Sequence, residues 1–300
     1  MKCIDFDKKF QYYVTEWVKK HAKEFKNYDE MEDHMPEVYE EFLDLPADWL
    51  AGVKPGEYFE RFDNAKQLVD WMEDYEKQRV PVPDMLLNRI SALGKASEAP
   101  LMNLLNKERT PHAVKMSAVT LLREIESEVP IDLYLNWISA WQGDDDLCEN
   151  ALESLQSLGA VAADPMRAAL ENSTREGQIS LLTVLCDHQK DEALTDLALS
   201  LLESEESSRA VLSDVLARLG NDKALPVLIR LAASEETPYL DYIELRNAIE
   251  ALGGEAPERE FDAEDPDYQA MRSIEEHMLH HEHEHGGDSC EQEGCDCNQH

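Results

Sequence analysis

Basic side chains are scarce in this sequence: 28 lysines and arginines stand against 64 aspartates and glutamates, a formal charge of −36. A chain of that sign repels a phosphate backbone, and nucleic-acid binders gather the opposite charge, so no nucleic-acid partner is expected. Docking on an anionic membrane is disfavoured for the same reason. Long apolar runs are also lacking, and nothing approaches the roughly 20 residues that span a bilayer. The opening segment MKCIDFDKKF has no apolar stretch of the kind a secretory signal needs. Glycines (12) and prolines (13) are too few for a fibrous or largely disordered chain. The six cysteines do not form a disulfide framework, since Cys3, Cys148 and Cys186 are scattered and the other three crowd the C-terminus. A reducing, cytoplasmic setting is the expectation.

What is present is an internal repeat. Leu-Gly pairs occur at Leu93-Gly94, Leu158-Gly159, Leu219-Gly220 and Leu252-Gly253. Their spacing fits five steps of about 32 residues, within the range of helix-pair repeats. Two intermediate repeats lack the glycine and are expected to end near Ile125 and His188. Pro100, Pro165 and Pro226 each follow their glycine by six residues. Glycine in a left-handed conformation closes one helix, and proline is tolerated in the first turn of the next, so each such pair reads as a corner between antiparallel helices. The flanks carry helical periodicity: Leu212, Val215, Leu216 and Leu219 before Gly220, then Leu225, Leu228, Ile229 and Ala232 after it. No run alternates with a period of two.

The corner strings LGKASEAPLMNLL, LGAVAADPMRAAL and LGNDKALPVLIRL resemble HEAT-like repeats of the short, phycobilisome-lyase-related type, and RNAIEALGG at 246–254 is similar to the ending of that family's first helix. The resemblance covers roughly 83–254. It implies an all-α fold, a right-handed α-solenoid of about five or six helix pairs. For function it implies an interaction scaffold, a role such repeats commonly serve, with lyase-like cofactor attachment as a further alternative.

The rest of the chain divides around that stack. Residues 1–80 are helical in period and rich in aromatics, with Phe10, Tyr13 and Trp17 on one face and Leu68, Trp71, Met72 and Tyr75 on another. A solenoid needs atypical ends to cover its apolar face, so this segment is expected to be an N-terminal helical cap. Lys19, Lys20, His21, Lys23 and Lys26 read as cations gathered at the first helix's C-terminus, where the macrodipole favours them. Residues 255–276 are acidic and turn-rich and read as a linker. Residues 277–300 form a tail expected to be disordered.

Six of the ten histidines and three of the six cysteines fall in that tail. His280, His281, His283, His285, Cys290, Cys295, Cys297 and His300 are the candidate metal ligands. Imidazole and thiolate suit zinc or nickel, and the interleaved carboxylates add counter-charge. Cys295 and Cys297 sit one residue apart and no second Cys-x-x-Cys occurs, so loose binding is expected rather than a rigid finger. In composition the tail resembles the histidine-rich segments of nickel and zinc chaperones.

No nucleophile elbow, phosphate loop, dinucleotide fingerprint or paired-histidine zinc motif is found. Cys148 and Cys186 sit inside amphipathic patterns where burial leaves a thiol inert. His21, His34, His112 and His188 read as surface or helix-end residues. The expected function is therefore a non-enzymatic scaffold that holds another protein or peptide, of basic character given the charge. The alternative is metal delivery or storage through the tail.

Overall fold

The computed structural model describes residues 2–143, 145–261 and 267–270. Among them the chain is helical, and no strand is present. It divides into two compact units, the first running to His188 and the second starting at Gln189.

The first unit opens with α1 (Phe6–His21), α2 (Tyr28–Glu32), α3 (Met35–Asp44) and α4 (Ala65–Gln78). It continues through α5 (Asp84–Ala92), α6 (Glu98–Leu105), α7 (His112–Glu124) and α8 (Ile131–Ser139). It closes with α9 (Asp146–Leu158), α10 (Ala160–Ala169) and α11 (Arg175–His188). From α5 onward the helices alternate between two rows. Helix α5 packs on α7, α7 on α9 and α9 on α11, α8 packs on α10, and α6, α8 and α10 each pack against the helix that follows. The burial pattern explains the order: Val114, Ala118, Val119, Leu121 and Leu122 of α7 lie inside, where α9 presents Cys148, Ala151 and Leu155. A single pair would leave one of these stripes in water, so stacking supplies the missing half of each core. Helix α11 is buried on more of its circumference than its neighbours, from Gly177 through Ile179, Leu181, Leu182, Val184, Leu185 and Cys186.

Helices α8 and α11 approach closely. Thr174 donates its backbone N–H to the Ser139 carbonyl at 2.9 Å, and its hydroxyl donates to the Trp141 carbonyl. These two carbonyls end the α8 turn and would otherwise lack helical partners. Gly177 makes the approach possible, because a Cβ there would sit 2.4 Å from the Ile138 carbonyl oxygen.

The second unit holds α12 (Glu192–Ser204), α13 (Arg209–Leu219), α14 (Leu225–Ala232) and α15 (Tyr239–Ala251). Helix α12 packs on α13, α13 on α15, and α14 on α15. The stripe Leu212, Val215, Leu216 and Leu219 is buried in this arrangement, as are Leu228 and Ala232.

Gly94, Gly159, Gly220 and Gly253 all take positive φ, between 55° and 79°, as their place at helix ends requires. Helix α7 ends at Glu124 and α11 at His188, at the two positions where the glycine is missing. At the first of these Glu126 takes the glycine's role with φ 52°. Its N–H bonds the Arg123 carbonyl and that of Ser127 bonds Leu122, the pairing of a Schellman motif. Arg79 closes α4 in the same way, with φ 55°.

The prolines depart from expectation at one corner. Pro100 and Pro226 lie in the first turns of α6 and α14, each preceded by a 3-10 turn, Gly94–Ser97 and Asp222–Ala224. After Gly159 no such turn intervenes, helix α10 begins at once, and Pro165 falls inside it. The carbonyl it leaves without a helical donor belongs to Val161, which is 51% exposed and open to water.

Two segments outside the glycine-marked stretch make contacts within their units. Helix α4 packs on α5, α6 and α7. Residues 255–261 lie against α15: the Tyr242 hydroxyl donates to the Pro257 carbonyl at 3.0 Å, and Phe261 meets Tyr239 and Tyr242 at 4.8 and 5.0 Å. Arg259 lies over the Tyr242 and Phe261 rings and donates to the Glu235 carbonyl.

Helix propensity and packing make opposite forecasts at two of these positions. Gly177→Ala, a change that gains about 1 kcal/mol in an exposed helix, should here cost roughly 1–3 kcal/mol through overpacking. Glu126→Gly should add about 1 kcal/mol by relieving a left-handed residue. Urea unfolding of the two variants checks both, and a stabilising Gly177→Ala would refute the close α8–α11 approach.

Candidate functional site

The candidate metal ligands His280, His281, His283, His285, Cys290, Cys295, Cys297 and His300 lie outside the described residues. Within the described residues no group of three or more His, Cys, Asp or Glu side chains has the arrangement to hold a metal ion. The remaining histidines sit at helix ends or first turns, as their sequence contexts indicate. His21 closes α1, stacks on Trp17 at 4.7 Å and meets Glu24 at 3.1 Å. His34 caps α3 and approaches Glu37. His112 opens α7 and reaches Asp146 at the start of α9, 2.9 Å away. The His188 ring lies beside Gly159.

Among the described residues the cysteines, Cys3, Cys148 and Cys186, are interior. Cys186 is fully buried, and its Sγ faces the Thr183 carbonyl at 3.5 Å. Cys148 lies at the edge of an open hollow of about 520 Å³ between α8 and α9, with Trp137, Trp141, Asp145 and Asp146 around it. The thiol itself is 5% exposed. Burial first, then the charge and hydrogen bond of Asp145 and the charge of Glu149, pushes its pKa up to about 12. Such a thiol is protonated throughout the neutral range and makes a poor nucleophile. Burial and Asp74 likewise push the Cys3 thiol up.

The surface is organised by where the few cations go. Arg123 of α7 pairs with Glu153 of α9, Lys107 with Glu73 of α4, and Arg89 with Asp63. In the second unit Lys223 meets Glu192 and Asp196 at 2.8 and 2.6 Å, Arg230 pairs with Glu203, and Arg209 lies 3.6 Å from Asp241. Each pair joins one helix or corner to a neighbouring one. Exposed pairs of this kind contribute at most about 1 kcal/mol apiece; their larger consequence is that cations are held within the stack while carboxylates outnumber them. On α9, Asp146, Glu149 and Glu153 follow one another at helical spacing and all stand exposed.

One recurring element is absent from the glycine–proline reading. Thr110 and Thr237 are buried, and each hydroxyl donates to a carbonyl six residues back, Leu104 at 2.8 Å and Leu231 at 2.7 Å. Each stands directly before a proline that caps the next helix, Pro111 for α7 and Pro238 for α15. The Thr-Pro pairs, 127 positions apart in the sequence, carry the same repeat as the glycines and were a legible signal.

Native alkylation tests the assignment of Cys148 as a structural thiol. At pH 8 it should react about three orders of magnitude more slowly than a free thiol of pKa about 8.5, and at the ordinary rate in denaturant. The sign for stability follows: the contribution of its burial is complete below the unfolded thiol's pKa and is lost as pH rises towards 12. Rapid native labelling followed by mass spectrometry would instead make Cys148 a reactive group. No protein-family model matches the chain, and neither a curated protein nor a solved structure matches it.

Proposed function

We propose that this chain is a non-enzymatic interaction scaffold, an α-solenoid of HEAT-like helix pairs whose exposed carboxylate surface holds another protein or peptide of basic character. The observation that carries the reading is the repeated pairing of helices within each unit, joined to the surplus of 64 acidic over 28 basic side chains. Repeats of this construction contact their neighbours and leave an extended outer surface for a partner. With lysines and arginines drawn into pairs between helices, the carboxylates of α9 and its neighbours set the sign of that surface. Complementary charge speeds encounter and fixes register more than it adds affinity, so the partner's association is salt-sensitive.

A second role is favoured by the clustering of six histidines and three cysteines in residues 277–300. Nitrogen and sulfur donors of this kind suit zinc or nickel. The reading is a metal-binding tail, with the helical body docking a client that receives or supplies the ion.

The two roles separate experimentally. Pull-down at low ionic strength should recover basic proteins whose association slows tenfold or more as salt is raised; recovery of nothing reproducible at low salt would remove the scaffold reading. In native mass spectrometry of the full chain and of a chain ending at Glu276, each offered zinc, nickel and cobalt, metal uptake should depend on the tail. Equal uptake by the two would remove the metal reading while leaving the scaffold intact.

A further inference from the structure

The N-terminal region contains a surface unlike the rest of the molecule. Tyr12, Leu45 and Trp49, which are 64%, 44% and 36% exposed, are three of the eight large apolar side chains most open to solvent among the described residues. All three border one groove of about 500 Å³ between α1 and the turn at 45–55. Its floor and walls include Tyr13, Phe42, Pro46 and Pro55. A second hollow of about 450 Å³ adjoins it through Lys9, Tyr12 and Trp49 and extends past Cys3.

The local fold holds this shape firmly. The turn is closed by the Ala47 N–H donating to the Val53 carbonyl at 3.2 Å, with Ala51 and Gly52 at positive φ. Trp49 is set edge-on against Phe6 with ring centroids 5.6 Å apart, and Phe6 rests on Phe59 in the interior. Phe42 is nearly buried beneath. The aromatic wall is therefore in place before any ligand arrives.

Lysines gather where the two hollows meet. Lys9 lines both, Lys2 and Lys8 line the second, and none of the three forms an ion pair among the described residues. Lys9 lies over the Trp49 ring at 5.2 Å. Three carboxylates share the lining or touch it, each with a bonding partner: Asp5 caps α1 by accepting the Lys8 backbone N–H at 2.8 Å, Glu16 is tied to Lys19 at 2.6 Å, and Glu41 accepts from the Tyr13 hydroxyl. The N-terminal end of α1 adds its own positive partial charge.

We propose that this groove docks a short extended peptide from a partner protein, an apolar anchor flanked by carboxylates. Grooves walled by tyrosine, tryptophan and proline receive extended chains whose side chains alternate into aromatic slots. Unpaired lysines at the rim select acidic flanks, and they lie on a molecule that elsewhere repels them, so selection rests on these few residues. The site is separate from the acidic face of α9. A membrane surface is disfavoured as occupant because the binding wall is concave and the whole chain carries −36.

The test uses the full chain and a peptide array in which every apolar residue is placed as anchor between glutamates, with the same anchors between lysines as the comparison. Glutamate-flanked hits should bind in fluorescence anisotropy, and Tyr12→Ala and Lys8→Glu should each weaken them about tenfold. Both side chains project into solvent, so both variants should keep the parent thermal transition, and any loss is then local. The proposal is overturned if no glutamate-flanked peptide binds the parent chain better than Tyr12→Ala, or if lysine-flanked peptides bind as well. It is also overturned if phosphatidylserine vesicles, and not peptides, are what Tyr12→Ala and Lys8→Glu release.

Discussion

Each helix pair in this chain carries more apolar surface than its own partner helix covers, and the first unit is arranged around that deficit. Helix α7 has α5 on one side and α9 on the other, and α9 in turn rests against α11. The cost of leaving one such stripe in water is large: a fully buried Leu or Val is worth about 1.5–3 kcal/mol, and α7 alone buries Val114, Val119, Leu121 and Leu122. The polar groups that must enter the stack are placed to span it. Asn150 of α9 donates to the Met116 carbonyl and to the Thr120 hydroxyl of α7, at 3.2 and 3.3 Å. The donor end of a buried amide on α9 is thus held by α7, which fixes register between the two helices as well as filling space.

What could be read from the sequence is what the backbone demands at helix ends. A glycine at positive φ and a proline six residues later both suit a corner, and such preferences show as recurring letters at recurring spacing. Where the letter changed, as at Glu126, the position still emerged from the period, because the neighbouring corners set it. Pro165 was misplaced because sequence spacing does not reveal whether a 3-10 turn separates the glycine from the helix; at Gly159 it does not. The Thr-Pro anchors went unread although they recur, because a hydroxyl that bonds a carbonyl six residues back leaves no hydrophobic period.

Tertiary ties were less legible still. The segment at 255–261 looks from its composition like solvated linker, yet Arg259, Phe261 and Pro257 hold it on Tyr239 and Tyr242. Three contacts of different kinds, from residues at irregular spacing, produce no pattern along the chain. The candidate tail ligands were legible purely as composition, and composition carries no geometry.

The distribution of cations links fold to function. With 28 basic side chains for 64 acidic ones, carboxylates set the sign of most of the surface. Several of the cations from α5 onward do pair between elements, joining α7 to α9, α12 to the corner before α14, and α13 to α15. Lys2, Lys8 and Lys9 do not, and they stand beside an aromatic groove whose side chains are exposed at a cost in solvation. Uncovered aromatic surface carries a cost in an isolated molecule, and its coincidence with free lysines at one place suits a docking site. Within the first unit, then, carboxylates stand exposed on α9 and lysines beside α1. A scaffold that must hold two different partners without exchanging them has reason to keep such surfaces apart, because each repels the other's ligand.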